Sequence, residues 1–228
     1  MLTEQGQLTP EGKTAHELGV EPRSAGMLIQ AQQHSEKMLN TALAAVALIE
    51  EPERNVTNIS HSLHRWMSST HSKRTVLSKR AQNLAYKLDA AFRLSNVDER
   101  LLPLVLSLAF PDRIAQQRVN QHGRFTLSNG HGAECRPEET LGDCEYLVAI
   151  DLMRSHSSYS QINLACDLDI NSLQEKFAHL FNTKEMVDWD EKKGRLIAER
   201  QFKLGQLVVK REALPSPDKE KMLSLIHI

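Results

Sequence analysis

The sequence predicts an α+β chain of two units: a helical bundle, then a five-stranded OB-like β-barrel carrying one helix. Two observations support this. Apolar residues recur three to four apart as far as Pro111, and beyond it short alternating runs are bounded by Gly, Asn, Asp and Ser. Strands, one helix and further strands within about 100 residues suit a small barrel.

The helices follow in order. Thr9, Pro10 and Glu11 supply an N-cap, a proline in the first turn and an acid, so a short helix opens there and stops at Gly19. Pro22 opens a second, with Ala25, Leu28 and Ile29 on one face. A third carries Met38, Leu39, Ala42, Leu43 and Val46 and ends at Glu50-Glu51-Pro52. Residues 52–70 have weak periodicity and read as loop plus a short helix. The strongest pattern runs from His71 to Arg93, where Leu77, Ala81, Leu84, Leu88, Ala91 and Phe92 form one stripe bordered by Lys73, Arg80 and Lys87 at seven-residue spacing. The last helix of this unit, 99–110, has Pro103 in its first turn and stops at Pro111.

Strand runs follow at 124–127, 146–152 and 161–165. A helix is expected over Ser172–Phe181, then strands at 186–189, 196–199 and 207–210, with a turn over 190–194. The final hexamer, LSLIHI, has no partner pattern around it and reads as a tail, native or a cloning scar, within 215–228.

Composition narrows the functional classes. The 228 residues carry 28 Lys+Arg and 29 Asp+Glu and are 40% hydrophobic, enough for a real core. Aromatics are 5%, too few for a stack of base-platform repeats. No apolar run approaches the roughly 18 residues of a membrane span, and no secretory signal opens the chain. Three irregularly spaced cysteines (135, 144, 166) read as reduced thiols, and a cytoplasmic location is expected. The near-zero net charge hides a split. Between His61 and Ala133 eleven Lys/Arg face four acids, so this window is +7 and the rest of the chain −8. Such asymmetry suits a face that meets a polyanion.

Motifs for chemistry fail one by one. Gly12-Lys13-Thr14 lacks the earlier glycine and the preceding strand of a phosphate loop, and Asn129-Gly-His-Gly-Ala133 lacks a third glycine and a following helix. It reads as a turn, with an exposed backbone that a strand could approach. No histidine or cysteine spacing fits zinc, and no nucleophile elbow or paired-carboxylate signature stands out, so no catalytic residue and no metal is expected. The basic set remains: Lys73, Arg80 and Lys87 on one helix edge, then Arg113, Arg118 and Arg124. It could contact phosphates or be a solvated face.

Several segments together carry a resemblance. Leu8-Thr-Pro-Glu-Gly12 with Leu18-Gly-Val-Glu-Pro-Arg23 resembles the join between winged-helix and ratchet domains of DEAH/RHA-type helicases. Leu106–Ala115 (LSLAFPDRIA), Gly123–Ala133 (GRFTLSNGHGA), Val187-Asp-Trp-Asp190 and Lys203–Lys210 (KLGQLVVK) are similar to the HrpB-type members of that family. The resemblance implies a winged-helix remnant at 1–20, a ratchet (HA2-like) domain at 21–110 and an OB-like domain at 111–214. It implies a fragment of a larger helicase whose RecA-like motor domains bind ATP and Mg, with no cofactor in this chain and no ATPase of its own. The implied ligand is single-stranded RNA, or DNA. Nucleic-acid contacts would come from Lys73, Arg80, Lys87, Arg113, Arg118, Arg124, Asn129 and His131, although Arg113 could equally pair with a carboxylate at the domain junction. The rival expectation is a structural docking module with no nucleic-acid contact.

Overall fold

The computed structural model describes residues 9–154, 158–190 and 195–214. Thr9 caps α1 (Pro10–Leu18) by accepting from the Gly12 amide at 3.0 Å, and Gly19 ends it at φ +64°. Helices α2 (Pro22–His34), α3 (Glu36–Glu50), α4 (Ile59–Met67), α5 (Arg74–Lys87) and α6 (Leu102–Ala109) follow. The α3 helix is the hub: residues Met38–Leu48 are buried along its whole length, with α2, α5 and α6 around it. Pro103 sits in the first turn of α6, where its missing N–H costs nothing.

The 71–93 expectation is corrected at both ends. Lys73 is the N-cap of α5, and after Leu88 the chain reverses through Asp89 at φ +52°. Phe92 mimicked helical spacing because it is partly buried from a non-helical segment, its ring 5.7 Å from that of Trp66.

The chain leaves α6 straight into β1 (Ile114–Arg118). With β2 (Gln121–Leu127), β3 (Gly132–Glu134), β4 (Tyr146–Arg154) and β5 (Tyr159–Asp167) it closes a barrel in the order β1-β2-β3-β5-β4, with β3 and β5 parallel. Phe125, Leu127, Leu147 and Ala149 fill the interior. On β4 the alternate residues Tyr146, Val148 and Ile150 join the core of the helices, together with Leu164 and Cys166. Both faces of that strand are buried, hence its continuous apolar run. The helical half also completes the barrel wall: beyond the short β3, the Ala165 amide donates to the Thr57 carbonyl at 2.8 Å, and Thr57 Oγ1 donates to Glu139 at 2.6 Å.

The later strands do not belong to this barrel. After α7 (Ile170–Lys176), capped by Asp169, and a 3-10 turn at Ala178–Leu180, strands β6 (Asn182–Asp190), β7 (Arg195–Leu204) and β8 (Leu207–Ala213) form a separate antiparallel sheet. The expected helix at 172–181 is thus shorter and earlier. Alternation showed these strands but not their partners, and the barrel is closed instead by β1 and β3. Those two escaped notice because one has only two apolar residues and the other is three residues long. The described residues therefore hold seven α-helices and two sheets. Most of the 190–194 turn, the 1–8 segment and the 215–228 tail lie outside the described residues.

Candidate nucleic-acid interface

The expected row on α5 lies along one edge of the helix, and each of its cations has an acceptor within the chain. Lys73 Nζ donates to Glu51 at 3.0 Å, and Arg80 holds Glu50 through Nε at 2.5 Å and Nη2 at 2.8 Å. Lys87 Nζ donates to the Glu17 and Leu18 carbonyls at 2.9 and 3.0 Å, satisfying the open end of α1. The hydrogen bond to Glu50 raises the Arg80 pKa above its ordinary value. The row thus fastens α5 to the ends of α3 and α1.

Arg113 sits at the joint between helices and barrel. Its Nη1 donates to the Ile150 carbonyl at 2.7 Å, and its guanidinium carbon lies 5.4 Å from the centre of the Phe110 ring. Arg23 lies 5.7 Å from the same ring and grips Asp112 with both Nη atoms, at 2.5 and 3.0 Å. The Arg23 hydrogen bond holds the Asp112 carboxyl below its ordinary range. The partner of this carboxylate is thus Arg23, and two segments read separately in the sequence, Leu18–Arg23 and Phe110–Arg113, meet here. Beside the joint, a cleft of about 740 Å³ is lined by Arg23, Arg113, Arg136, Glu21 and Asp151 among others.

A polar knot stands behind that cleft. Glu53 accepts from Ser62 at 2.6 Å and from Arg65, and the fully buried His71 ring has Nε2 3.2 Å from the same carboxylate without the alignment of a hydrogen bond. His71 Nδ1 accepts from the Lys73 amide at 3.0 Å, which leaves the neutral ring's proton on Nε2. Burial lowers the His71 pKa below 6.5. Burial opposes the Glu53 carboxylate, but the Arg65 and Ser62 hydrogen bonds hold it below 4.5. Both shifts act in one direction. As pH falls below 6.5 the unfolded chain takes a proton that folded His71 refuses, and lower still the same holds for Glu53. The melting temperature should drop between about pH 7 and pH 5, and His71→Gln should flatten that slope even if it lowers the plateau. Thermal scans at stepped pH give the answer, and an unchanged slope in the variant would contradict the assignment.

The barrel wall offers a different arrangement. Arg118 ends β1, Arg124 lies on β2 and Tyr159 begins β5. The two guanidinium carbons stand 4.9 and 5.0 Å from the centre of the Tyr159 ring. Arg118 Nη1 donates to the Tyr159 hydroxyl at 2.7 Å and Nε to Thr126 at 3.0 Å, while Arg124 lies 3.6 Å from Glu134. Gly132 permits this packing, since a Cβ there would stand 2.7 Å from Tyr159 Cδ1. Arg124 keeps half of its side-chain surface exposed. Tyr159 was missed in the sequence reading because it is one tyrosine at the edge of a strand run, with no spacing that ties it to Arg118 and Arg124. Asn129 and His131 are exposed on the β2–β3 turn, where Asn129 Oδ1 accepts from the His131 amide at 3.0 Å and Gly130 takes φ +91°, as that turn requires. Arg113, Arg118 and Arg124, close in sequence, therefore divide between the joint and the wall.

The three cysteines are free thiols, with burial pushing those of Cys135 and Cys166 up to about 12. No helix among the described residues is long and apolar enough to cross a membrane.

Comparison with known proteins agrees with this architecture. A family model described as the connector region of the ATP-dependent RNA helicase HrpB matches residues 180–214, the three-stranded sheet and its flanks. The Escherichia coli K12 ATP-dependent RNA helicase HrpB is 32% identical over 218 residues, which is 95% of this chain and 26% of that protein. A crystal structure of the E. coli DExH-box NTPase HrpB superposes with a TM-score of 0.80 at 31% identity, covering 96% of this chain and 26% of that one. A second, titled the E. coli DEAH/RHA helicase HrpB, gives 0.78 at 27%, again over 96% and 26%. The chain is therefore homologous to one region of the helicase HrpB, and it spans about a quarter of the length of the relatives it matches.

Proposed function

We propose that this chain is the accessory, C-terminal part of an HrpB-like helicase, a ratchet-type helical unit joined to an OB-like barrel, and that it forms one wall of the path followed by a single nucleic-acid strand. The observation that carries this reading is the pair of guanidinium groups flanking Tyr159 on the barrel wall. Two cations gathered at one ring on a barrel wall can hold successive phosphates of a single strand, and the ring fixes where they stand. The barrel order β1-β2-β3-β5-β4 supports the OB-like assignment, and in such barrels the early strands and the β1–β2 loop serve oligonucleotides. Arg118 and Arg124 bracket that loop. Asn129 and His131 extend the surface along the next turn.

On this reading the parent protein couples ATP and Mg chemistry in RecA-like motor domains to movement along single-stranded RNA, and this chain alone hydrolyses no ATP. The docking reading applies first to Lys73, Arg80, Lys87 and Arg113, which tie separate elements together. Arg118 and Arg124 also have partners, but within one barrel wall, and what sets them apart is that both stand at one ring.

Titration of a labelled oligouridylate against the purified chain tests this. Binding should weaken steeply with salt, by about 0.7 in log–log slope for each phosphate contact. Arg118→Glu with Arg124→Glu should cost at least about tenfold in affinity and flatten the slope. Lys73→Gln with Lys87→Gln should cost less. Salt-independent binding, or full affinity in the Arg118/Arg124 variant, would overturn the proposal.

A further inference from the structure

The outward face of α5 is left over once the basic row is accounted for. Leu77, Ala81, Leu84 and Ala85 are buried on the inner face. On the outer face Val76, Lys79, Asn83 and Tyr86 are all exposed and fall three, four and three residues apart. They mark one face of the helix over about 15 Å, with Val76 and Tyr86 at its ends and the polar Lys79 and Asn83 between them. Val76 is 49% and Tyr86 83% exposed, and they are two of only four large apolar side chains exposed among the described residues. The helix contains no Asp or Glu. Arg74 and Lys79 take part in no ion pair among the described residues, and Arg74 occupies the first turn, where the helix dipole disfavours a cation.

We propose that this face is a docking surface for an acidic amphipathic helix of a protein partner, laid along α5 with its apolar residues on Val76 and Tyr86 and its carboxylates toward Arg74 and Lys79. Charge complementarity selects the sign of the partner, and a helix laid along α5 reaches both apolar side chains and both cations over about 15 Å. Tyr and Arg are the residue types that interface centres favour. The face is short, so the contact is a weak, reversible one. It shares no residue with the Arg118–Tyr159–Arg124 face and does not depend on it.

The probe is a synthetic peptide about three heptads long with Leu at the a and d positions and Glu at e and g, titrated into the full chain by calorimetry. Saturable binding is expected at low salt, weakened at about 0.5 M salt. Arg74→Glu with Lys79→Glu, and Tyr86→Ala separately, should each lower affinity at least about tenfold. These side chains are exposed, and an unchanged melting temperature certifies the folded state of each variant. A peptide with Lys at e and g should not bind. Absence of saturable binding, or equal affinity in the variants, overturns the proposal. So does a loss of oligouridylate binding in Arg74→Glu/Lys79→Glu with no loss of peptide binding, which would assign the face to nucleic acid.

Discussion

Replacing Phe110 by Ala is expected to lower the free energy of unfolding by about 3–5 kcal/mol. The residue is 3% exposed, closes α6 and has the guanidinium groups of Arg23 and Arg113 within 5.7 Å of its ring centre. It belongs to a core cluster that runs from Leu18 through the helices into Val148, Ile150 and Leu164 of the barrel. Removing it opens a cavity at the chain connection between the two halves and takes the ring away from both arginines, which Asp112 and the Ile150 carbonyl still hold. Because that core is continuous, the loss should shift one cooperative transition to lower urea, not split it. Arg23→Gln, at a half-exposed ion pair, should cost no more than about 1 kcal/mol. Two separated transitions in either protein would show that the helices and barrel fold independently, against the shared core.

Gly205→Ala should cost about 3 kcal/mol, an unusual penalty for one methyl group in a turn. Gly205 joins β7 to β8 at φ +56°, and a Cβ there would stand 2.3 Å from the Ser128 carbonyl oxygen. Ser128 cannot retreat: its amide donates to the Ile114 carbonyl at 2.7 Å, its hydroxyl to the Pro111 carbonyl at 2.6 Å, and its carbonyl accepts from the Gln206 amide at 2.7 Å. Leu204 and Leu207, both buried, flank the turn. Hydrogen exchange should therefore show β7 and β8 losing protection while β2 and β4 retain theirs. Uniform protection in the variant would mean that the sheet does not rest on this contact.

Both positions show how much the sequence disclosed. Helix starts were legible because Thr9, Pro10, Pro22 and Pro103 act locally, and the predicted turn at Asn129-Gly130 needed no knowledge of its surroundings. Partnership was not legible. Nothing in Leu196–Lys210 says that its strands stand apart from the barrel, and nothing in Ile114–Arg118 says that it closes one. The candidate residues divided in the same way. Seven-residue spacing placed Lys73, Arg80 and Lys87 on one edge, but the acceptors at Glu51, Glu50 and Glu17–Leu18 come from 22 to 70 residues away. Tyr159 was invisible for the converse reason: its meaning comes from Arg118, 41 residues earlier, and from the bare backbone of Gly132. Local chemistry is written in adjacent residues, whereas a surface is assembled by topology.

Photocrosslinking bears most directly on the strand path. An oligouridylate bearing 4-thiouridine, irradiated with the chain and mapped by mass spectrometry, should leave its adducts on peptides containing Tyr159 and the Arg118–Arg124 segment. Adducts confined to other surfaces, or none at ligand concentrations that saturate binding, would mean that the barrel wall does not face the strand.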